Sequence, residues 1–252
     1  MFESSSRFIE KFLSEIDKYP DIIYFHDPNI HYLKKIRKAL PFIQTKYVFF
    51  CAEDDFIVPS AIKKITEFLD EHNDYCSAQG HFLTFEVRRK NIEFTPRYIR
   101  NFDKHINAAT AAERLIEFQN PYTSLLYSVI YSNVFKEMYT NCFDNQDRLL
   151  FTNLFTAETY FNYYALIQGK HATLPYFYAA RERIAGSATT TTAPFTDIMT
   201  KGKYHDERES LLQILANKLS LQDGIPQSEA YEMILKLLKE PYTNKIISKS
   251  VS

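Results

Sequence analysis

The sequence predicts an α/β fold: a mixed, mainly parallel sheet flanked by helices, followed by a helical appendage at the C-terminal end. Three observations predict it. The first third alternates short apolar runs with segments of helical periodicity, in β-α-β-α order. One of those runs, Lys46 to Ala52, is apolar without alternation, as in a central strand buried on both faces. The tail from about Tyr204 to Lys239 carries two amphipathic helical patterns and no strand. A length of 252 residues suits one large α/β domain with such an appendage. The expected division is residues 1–200 and residues 201–252.

Taken in order, Phe8, Ile9, Phe12, Leu13 and Ile16 share one helical face. Ile22 to Phe25 reads as a buried strand, and Ile30 to Leu40 as a helix stopped by Pro41. After the Lys46 to Ala52 strand, Pro59 opens a helix running to about Leu69, at a position that tolerates its missing N–H. Tyr75 to Val87 reads as one or two strands around Gly80, Ile92 to Ile99 as another, and Thr110 to Phe118 as a helix. Ser124 to Tyr131 is strand-like, Asn133 to Tyr139 a short helix, and Leu149 to Ile167 a long helix closed by Gly169. His171 to Ala180 is the last strand, and the Thr-rich stretch Ser187 to Thr196 a loop. Asp223-Gly224-Ile225-Pro226 separates the two tail helices.

Composition excludes several classes of function. The net charge is −1 and the basic residues are scattered, Arg88-Arg89-Lys90 included, so no nucleic-acid partner is expected. Three cysteines, Cys51, Cys76 and Cys142, lack CxxC spacing, which argues for a reducing compartment and against a zinc site. Cys51 reads as a small core residue. The start carries no signal peptide, and no apolar run approaches the ~20 residues that span a bilayer. The expectation is a cytoplasmic protein without a transmembrane segment, with peripheral docking on a membrane left open. None of the five glycines forms a GxGxxG or P-loop pattern.

The chemistry concentrates at Glu53-Asp54-Asp55, directly after the apolar run. Ligands of open α/β sheets bind beyond the carboxyl ends of strands. Crowded carboxylates there repel one another, and a hard cation relieves them. Mg²⁺ or Mn²⁺ on one or two carboxylates bridges nucleotide phosphates and stabilises a leaving diphosphate. In extended backbone Glu53 and Asp55 point to one side and Asp54 to the other. A solvated acidic turn would show the same triplet, but the apolar strand before it and Phe56-Ile57-Val58-Pro59 after it favour a site.

The segment Gln44 to Pro59, with Ile62, Ile65, Phe68-Leu69, Asn73-Asp74-Tyr75 and Gly80 following, resembles the DXD-motif region of a bacterial GT-A glycosyltransferase-domain family. The similarity is best from Thr45 to Phe85 and thinner from Asn107 to Ser187. It implies a GT-A-like (Rossmann-like) domain that moves a sugar from a nucleotide-sugar donor to a glycan or to a lipid-linked, surface-polysaccharide acceptor. It implies Glu53 and Asp55 as ligands of Mn²⁺ or Mg²⁺, and Asp54 on the donor's ribose or sugar. Glu158 resembles the late acid that acts as general base in inverting members, and Arg181 and Arg183 would hold the diphosphate. The usual N-terminal nucleotide-binding strand has no counterpart here, because the chain starts near Phe8 with what resembles a later helix.

Other residues weigh less. His26-Asp27-Pro28-Asn29 reads as a turn, His81 follows Gly80 near the cleft, and His205-Asp206 is either a late ligand or a helix start. Ser124 and Ser128 lack a GxSxG setting, so serine hydrolysis is not expected. Two rival readings stand beside the transferase. One is a non-catalytic GT-A-like module that binds a glycan or a protein partner. The other is a phosphatase or phosphotransferase with an acidic strand-end site, for which a convincing Lys and downstream acid pair are missing.

Overall fold

The computed structural model describes residues 2–3, 15–16, 18–52, 54–88, 91–97, 102, 104–119, 121–183 and 192–250. The chain forms two compact units, Met1–Gln44 and Thr45–Ser252. The expected helix from Phe8 lies outside the described residues except at its end, Glu15 and Ile16.

In the first unit β1 (Phe2–Glu3) pairs in parallel with β2 (Phe25–His26). The Pro28-Asn29 turn follows, with Asn29 in the left-handed region that asparagine tolerates. Helix α1 (Tyr32–Ala39) starts where the His31 ring accepts from the Leu33 N–H at 3.3 Å. The helix ends just before Pro41, which sits in the short 3₁₀ turn Leu40–Phe42 that follows directly.

The second unit holds a six-stranded sheet: β3 (Tyr47–Val48), β4 (Asp55–Ile57), β5 (Tyr75–Arg88), β6 (Asn91–Arg97), β7 (Val129–Tyr131) and β8 (Lys170–Glu182). Its order is β3-β7-β5-β8-β4, with β6 also on β5. The sheet is mixed, and the expectation of a mainly parallel one is corrected: among the described residues β5 with β8 is its one parallel pair, and the other four are antiparallel. For the β5–β6 pair the physical reason is connection length. Only two residues separate Arg88 from its partner Asn91, and so short a link must reverse the chain.

The apolar run at 46–52 is corrected too. Only Tyr47 and Val48 form a strand, and β3 lies at an edge of the sheet. Phe49, Phe50 and Ala52 instead pack against the core, which explains an apolar run without a central strand. Ser124 to Leu126 likewise approach β7 as irregular chain.

The core forms where α2 (Pro59–Glu71) crosses the sheet. Ala61, Ile65 and Leu69, spaced four apart on one face, bury against Ala78, Phe82, Tyr178 and Ala179. Each fully buried Ile or Leu of this kind contributes about 1.5–3 kcal/mol.

Helices α3 (Ala111–Gln119), α4 (Ser132–Thr140) and α5 (Leu154–Gln168) follow. Helix α5 is buried around most of its circumference, so both ends need partners. Asn153 caps its start, accepting from Phe155 at 2.8 Å. The buried Arg114 closes its end, with Nε donating to the Leu166 carbonyl at 2.7 Å and Nη2 to that of Ile167 at 3.0 Å.

A short helix α6 (Phe195–Thr200) leads to α7 (His205–Asp223) and α8 (Gln227–Ser250), which pack together as the amphipathic pattern predicts. Both fall within the second unit. Asp223, the last residue of α7, accepts from the N–H groups of Ala111 and Ala112 at 2.8 Å each and so caps the start of α3.

Two glycines set the β5–β8 contact. A Cβ on Gly80 would lie 2.4 Å from the Tyr176 carbonyl oxygen, and one on Gly169 would lie 2.8 Å from the Cys76 Cβ. Opposite Gly80 the register slips from Gln79↔Thr173 to His81↔Phe177, so β8 bulges around Pro175, which has no N–H to offer the ladder. Gly80→Ala is expected to cost about 3 kcal/mol, because a backbone oxygen cannot step aside cheaply; the unfolding free energy in urea measures it.

His171 is fully buried. Its Nδ1 lies 2.8 Å from Ser77 Oγ, and Nε2 makes no hydrogen bond. Burial, helped by the His105 charge, pushes its pKa from 6.5 down to about 3. Between these values the unfolded chain binds the proton better. The stability His171 supports is therefore complete above about pH 6.5 and lost progressively as the pH falls toward 3. At pH 5 the loss is roughly 2 kcal/mol. His171→Asn should lessen the drop in unfolding free energy between pH 7 and pH 5 by about that amount; an unchanged drop would assign it to other groups.

Candidate functional site

Asp55 is the first residue of β4, and its register partner on β8 is Arg181. Strand pairing alone therefore brings the carboxylate and the guanidinium together. Arg181 Nε stands 3.3 Å from Asp55 Oδ2, an ion-pair distance without hydrogen-bond alignment. The Asp55 side chain is 3% exposed and that of Arg181 26%, so the arginine is the more accessible partner, although its Nε is buried.

Tyr127 completes the group. Its ring lies beneath the guanidinium, 4.4 Å from ring centroid to Arg181 Cζ, and its hydroxyl accepts from Nη2 at 3.2 Å. Phe50 and Phe82 pack against the same ring at 5.6 and 6.2 Å. Burial raises the Asp55 carboxyl above its ordinary pKa; the Arg181 charge and the Tyr127 hydroxyl oppose the rise, and Asp54 adds to it.

The other acidic-cluster residues lie differently. Asp54 is exposed, and Glu53 falls outside the described residues. Cys51, expected in the core, is exposed as a residue, because the chain between β3 and β4 is irregular there. Its thiol is still partly desolvated, and this and the nearby Asp55 and Asp54 charges push it up, so it is no activated nucleophile. Arg183 lies just past β8, exposed, with its N–H on the Phe85 carbonyl at 2.8 Å.

Glu158 lies on α5, half-buried. Its Oε1 accepts from Ser124 Oγ at 2.7 Å and from Tyr122 OH at 3.0 Å. Asn162, four residues on and so on the same helical face, donates to Tyr122 OH at 3.2 Å and accepts from the Leu125 N–H at 2.9 Å. The buried Gln79 pins the same stretch from below, donating to Thr123 Oγ1 at 3.2 Å and accepting from Ser128 Oγ at 3.0 Å.

The connection from Tyr122 to Ser128 thus carries both halves of the site. Ser124 holds Glu158, and Tyr127 holds Arg181, which pairs with Asp55. Three residues of chain put the Cα atoms of Ser124 and Tyr127 at most about 11 Å apart. The sequence reading weighed Ser124 only as a nucleophile and gave Tyr122, Tyr127 and Asn162 no role. The available signal was Glu158 and Asn162, polar residues one turn apart in a helix rich in apolar and aromatic residues.

No group of three or more His, Cys, Asp or Glu side chains able to hold a metal ion occurs among the described residues. A Mg²⁺-type site needs only one or two carboxylates, with water and substrate phosphate as the remaining ligands. The buried Asp55 Oδ2, which takes part in no hydrogen bond, fits such an ion. No helix among the described residues is long and apolar enough to cross a membrane.

No protein-family model and no curated protein matches the sequence. Among solved structures, S. aureus TarS 1-349 matches with a TM-score of 0.56 at 13% identity, over 96% of this chain and 61% of that one. S. aureus TarS also matches at 0.56 and 13%, over 94% of this chain and 36% of that one. This chain thus spans less than two thirds of either. At this identity the likeness is one of fold: the chain has, at the coarse level, the mixed α/β fold of TarS, a glycosyltransferase.

Asp55 and Arg181 should respond unequally to truncation. Asp55→Ala removes a buried charge and leaves a cation that water can reach, at a cost of about 1 kcal/mol. Arg181→Ala strands the buried carboxylate, at about 3 kcal/mol near pH 7. The stranded carboxyl escapes by taking up a proton, so the gap between the variants should narrow at pH 5. Paired denaturant titrations at the two pH values check this, and a constant gap would count against it.

Proposed function

We propose that the chain is a glycosyltransferase that moves a sugar from a nucleotide-sugar donor to a glycan or lipid-linked, surface-polysaccharide acceptor. The likeness of fold to TarS supports the class of reaction. One observation carries the site: the Tyr122–Ser128 connection binds Glu158 through Ser124 and Tyr122, and the Asp55–Arg181 pair through Tyr127.

In this reading Asp55 and Glu53 hold Mn²⁺ or Mg²⁺, Asp54 meets the donor's ribose or sugar, and Arg181 and Arg183 meet the diphosphate. When bound, the cation supplies Lewis-acid stabilisation of the leaving diphosphate. In an inverting transfer Glu158 takes the proton of the acceptor hydroxyl as it attacks the anomeric carbon. Both hydrogen bonds to Glu158 fall on Oε1, so Oε2 is the oxygen left for that proton among the described residues. Tyr122, 47% exposed, marks the side from which an acceptor would approach.

A second reading, a non-catalytic GT-A-like module that binds a glycan or a protein partner, is favoured by the Arg181 pairing of Asp55. Calorimetry and turnover assays separate the two. Asp55→Asn should abolish Mn²⁺-dependent binding of a nucleoside diphosphate; unchanged binding refutes the metal assignment. Glu158→Gln should keep that binding and lower turnover by about 10²–10⁴. Nucleotide binding by the wild type without turnover of any nucleotide sugar would support the second reading.

A further inference from the structure

We propose that the ribbon formed by the end of β5 and the start of β6 is a membrane-docking element, whose apolar face seats in an anionic lipid surface. The inference goes beyond the transferase reading and needs no metal, nucleotide or turnover.

Register builds the face. Phe85 pairs with Phe94 and Val87 with Ile92, so all four side chains lie on one side of the ribbon. Phe56 of β4 joins them: its ring lies 5.6 Å from that of Phe85, which lies 6.2 Å from that of Phe94. Phe85 is buried, but Val87, Ile92, Phe94 and Phe56 are 55–65% exposed. Exposed apolar residues scattered singly are ordinary, whereas a contiguous group marks a surface that another body covers. Strand β8 pairs with β5 only as far as Phe85, so the ribbon runs on for about 10 Å beyond that pair. A two-stranded ribbon is marginally stable in water by itself, and covering its apolar face stabilises it.

Charge selects the occupant. The two residues that join the strands are Arg89 and Lys90. From Phe82 to Arg97 the sequence holds four bases, Arg88, Arg89, Lys90 and Arg97, against two acids, Glu86 and Glu93; this is a net +2 in a chain of net −1. Both acids lie on the opposite face of the ribbon, where Arg88 pairs with Glu86 at 3.0 Å and with Glu93 at 3.6 Å. On the apolar side, register places Glu182 beside Phe85, and the exposed Arg183 follows it. An apolar face joined to a basic turn matches a bilayer, whose acyl boundary lies just beneath anionic headgroups. The reach of the ribbon suits the depth of about 5–10 Å at which amphipathic elements settle there. Alternation along β4 turns Asp55, with its partner Arg181, to the face opposite Phe56, so docking leaves that ion pair out of the lipid.

The probes are vesicles of phosphatidylcholine alone and of phosphatidylcholine with about a third phosphatidylglycerol, read by co-sedimentation. The wild type should bind the anionic vesicles about tenfold or more tightly than the neutral ones, with the difference shrinking as salt rises. Ile92→Ser combined with Phe94→Ser should weaken that binding about tenfold or more. Both side chains are exposed, so their loss leaves the core intact. Arg89→Glu combined with Lys90→Glu should bring binding to the anionic vesicles down to the neutral level. The chain has no tryptophan, so Phe94→Trp is a clean fluorescence reporter. Its emission should shift to the blue with anionic vesicles, while that of Thr95→Trp, on the opposite face of the same strand, should not. A wild type that ignores anionic vesicles overturns the proposal, as does undiminished binding by the serine variant or an equal shift from the two reporters. A solution dimer that the serine variant dissociates, in a wild type that ignores vesicles, overturns it in favour of a second copy of the chain.

Discussion

The close approach of β5 and β8 is the constraint on which the second unit depends. It is the one parallel pairing of that sheet among the described residues, and the rest hangs from it: β6 and β7 attach through β5, and β4 through β8. Packing this tight requires a hydrogen in place of a side chain at Gly80 and at Gly169. It also absorbs Pro175 into a bulge, where a missing N–H costs the ladder little. Once β8 is registered against β5, Arg181 is placed, and β4 brings Asp55 opposite it. The ion pair is thus a product of sheet register.

The other half of the site depends on helix ends. Helix α5 is largely buried, and its last carbonyls have no water to meet. Arg114 supplies the donors from α3, reaching also to the Ala108 and Ala109 carbonyls at 3.2 and 3.0 Å. An arginine suits this because its fork of N–H groups serves several acceptors at once and stays charged when buried. With both ends satisfied, α5 presents Glu158 and Asn162 to the Tyr122–Ser128 connection from a rigid support.

Much of this was legible in the sequence. Helical periodicity located α2, α3, α4, α7 and α8, and Pro59 marked the start of α2. The long strands β5 and β8 were legible because their apolar content persists over many residues. Strand direction was not legible. An apolar run states that a segment is covered, not which neighbour it meets, and Phe49 and Phe50 are partly buried against the core while β3 ends at Val48. At the site, the chain singled out Asp55, Arg181 and Glu158 by residue type and position. That Asp55 and Arg181 face each other follows from register across 126 positions of sequence, which local pattern does not encode. The role of Tyr127 was hidden for a similar reason: in an apolar stretch a tyrosine reads as core, and only the fold shows what its hydroxyl meets.

The long-range cap formed by Asp223 bears on how the molecule is held together. At the start of α3 Thr110 and Glu113 close one another's N–H groups locally, and the amides of Ala111 and Ala112 between them are met by a carboxylate from the far end of α7. The same α3 carries Arg114, and Arg114 closes α5. The C-terminal helices therefore act as a clasp: loosening them would expose the amides of Ala111 and Ala112, free α3 to shift, and pass that slack to the helix that bears Glu158. A region far from the acidic cluster in sequence thus shares in setting the position of a carboxylate on which the proposed chemistry turns.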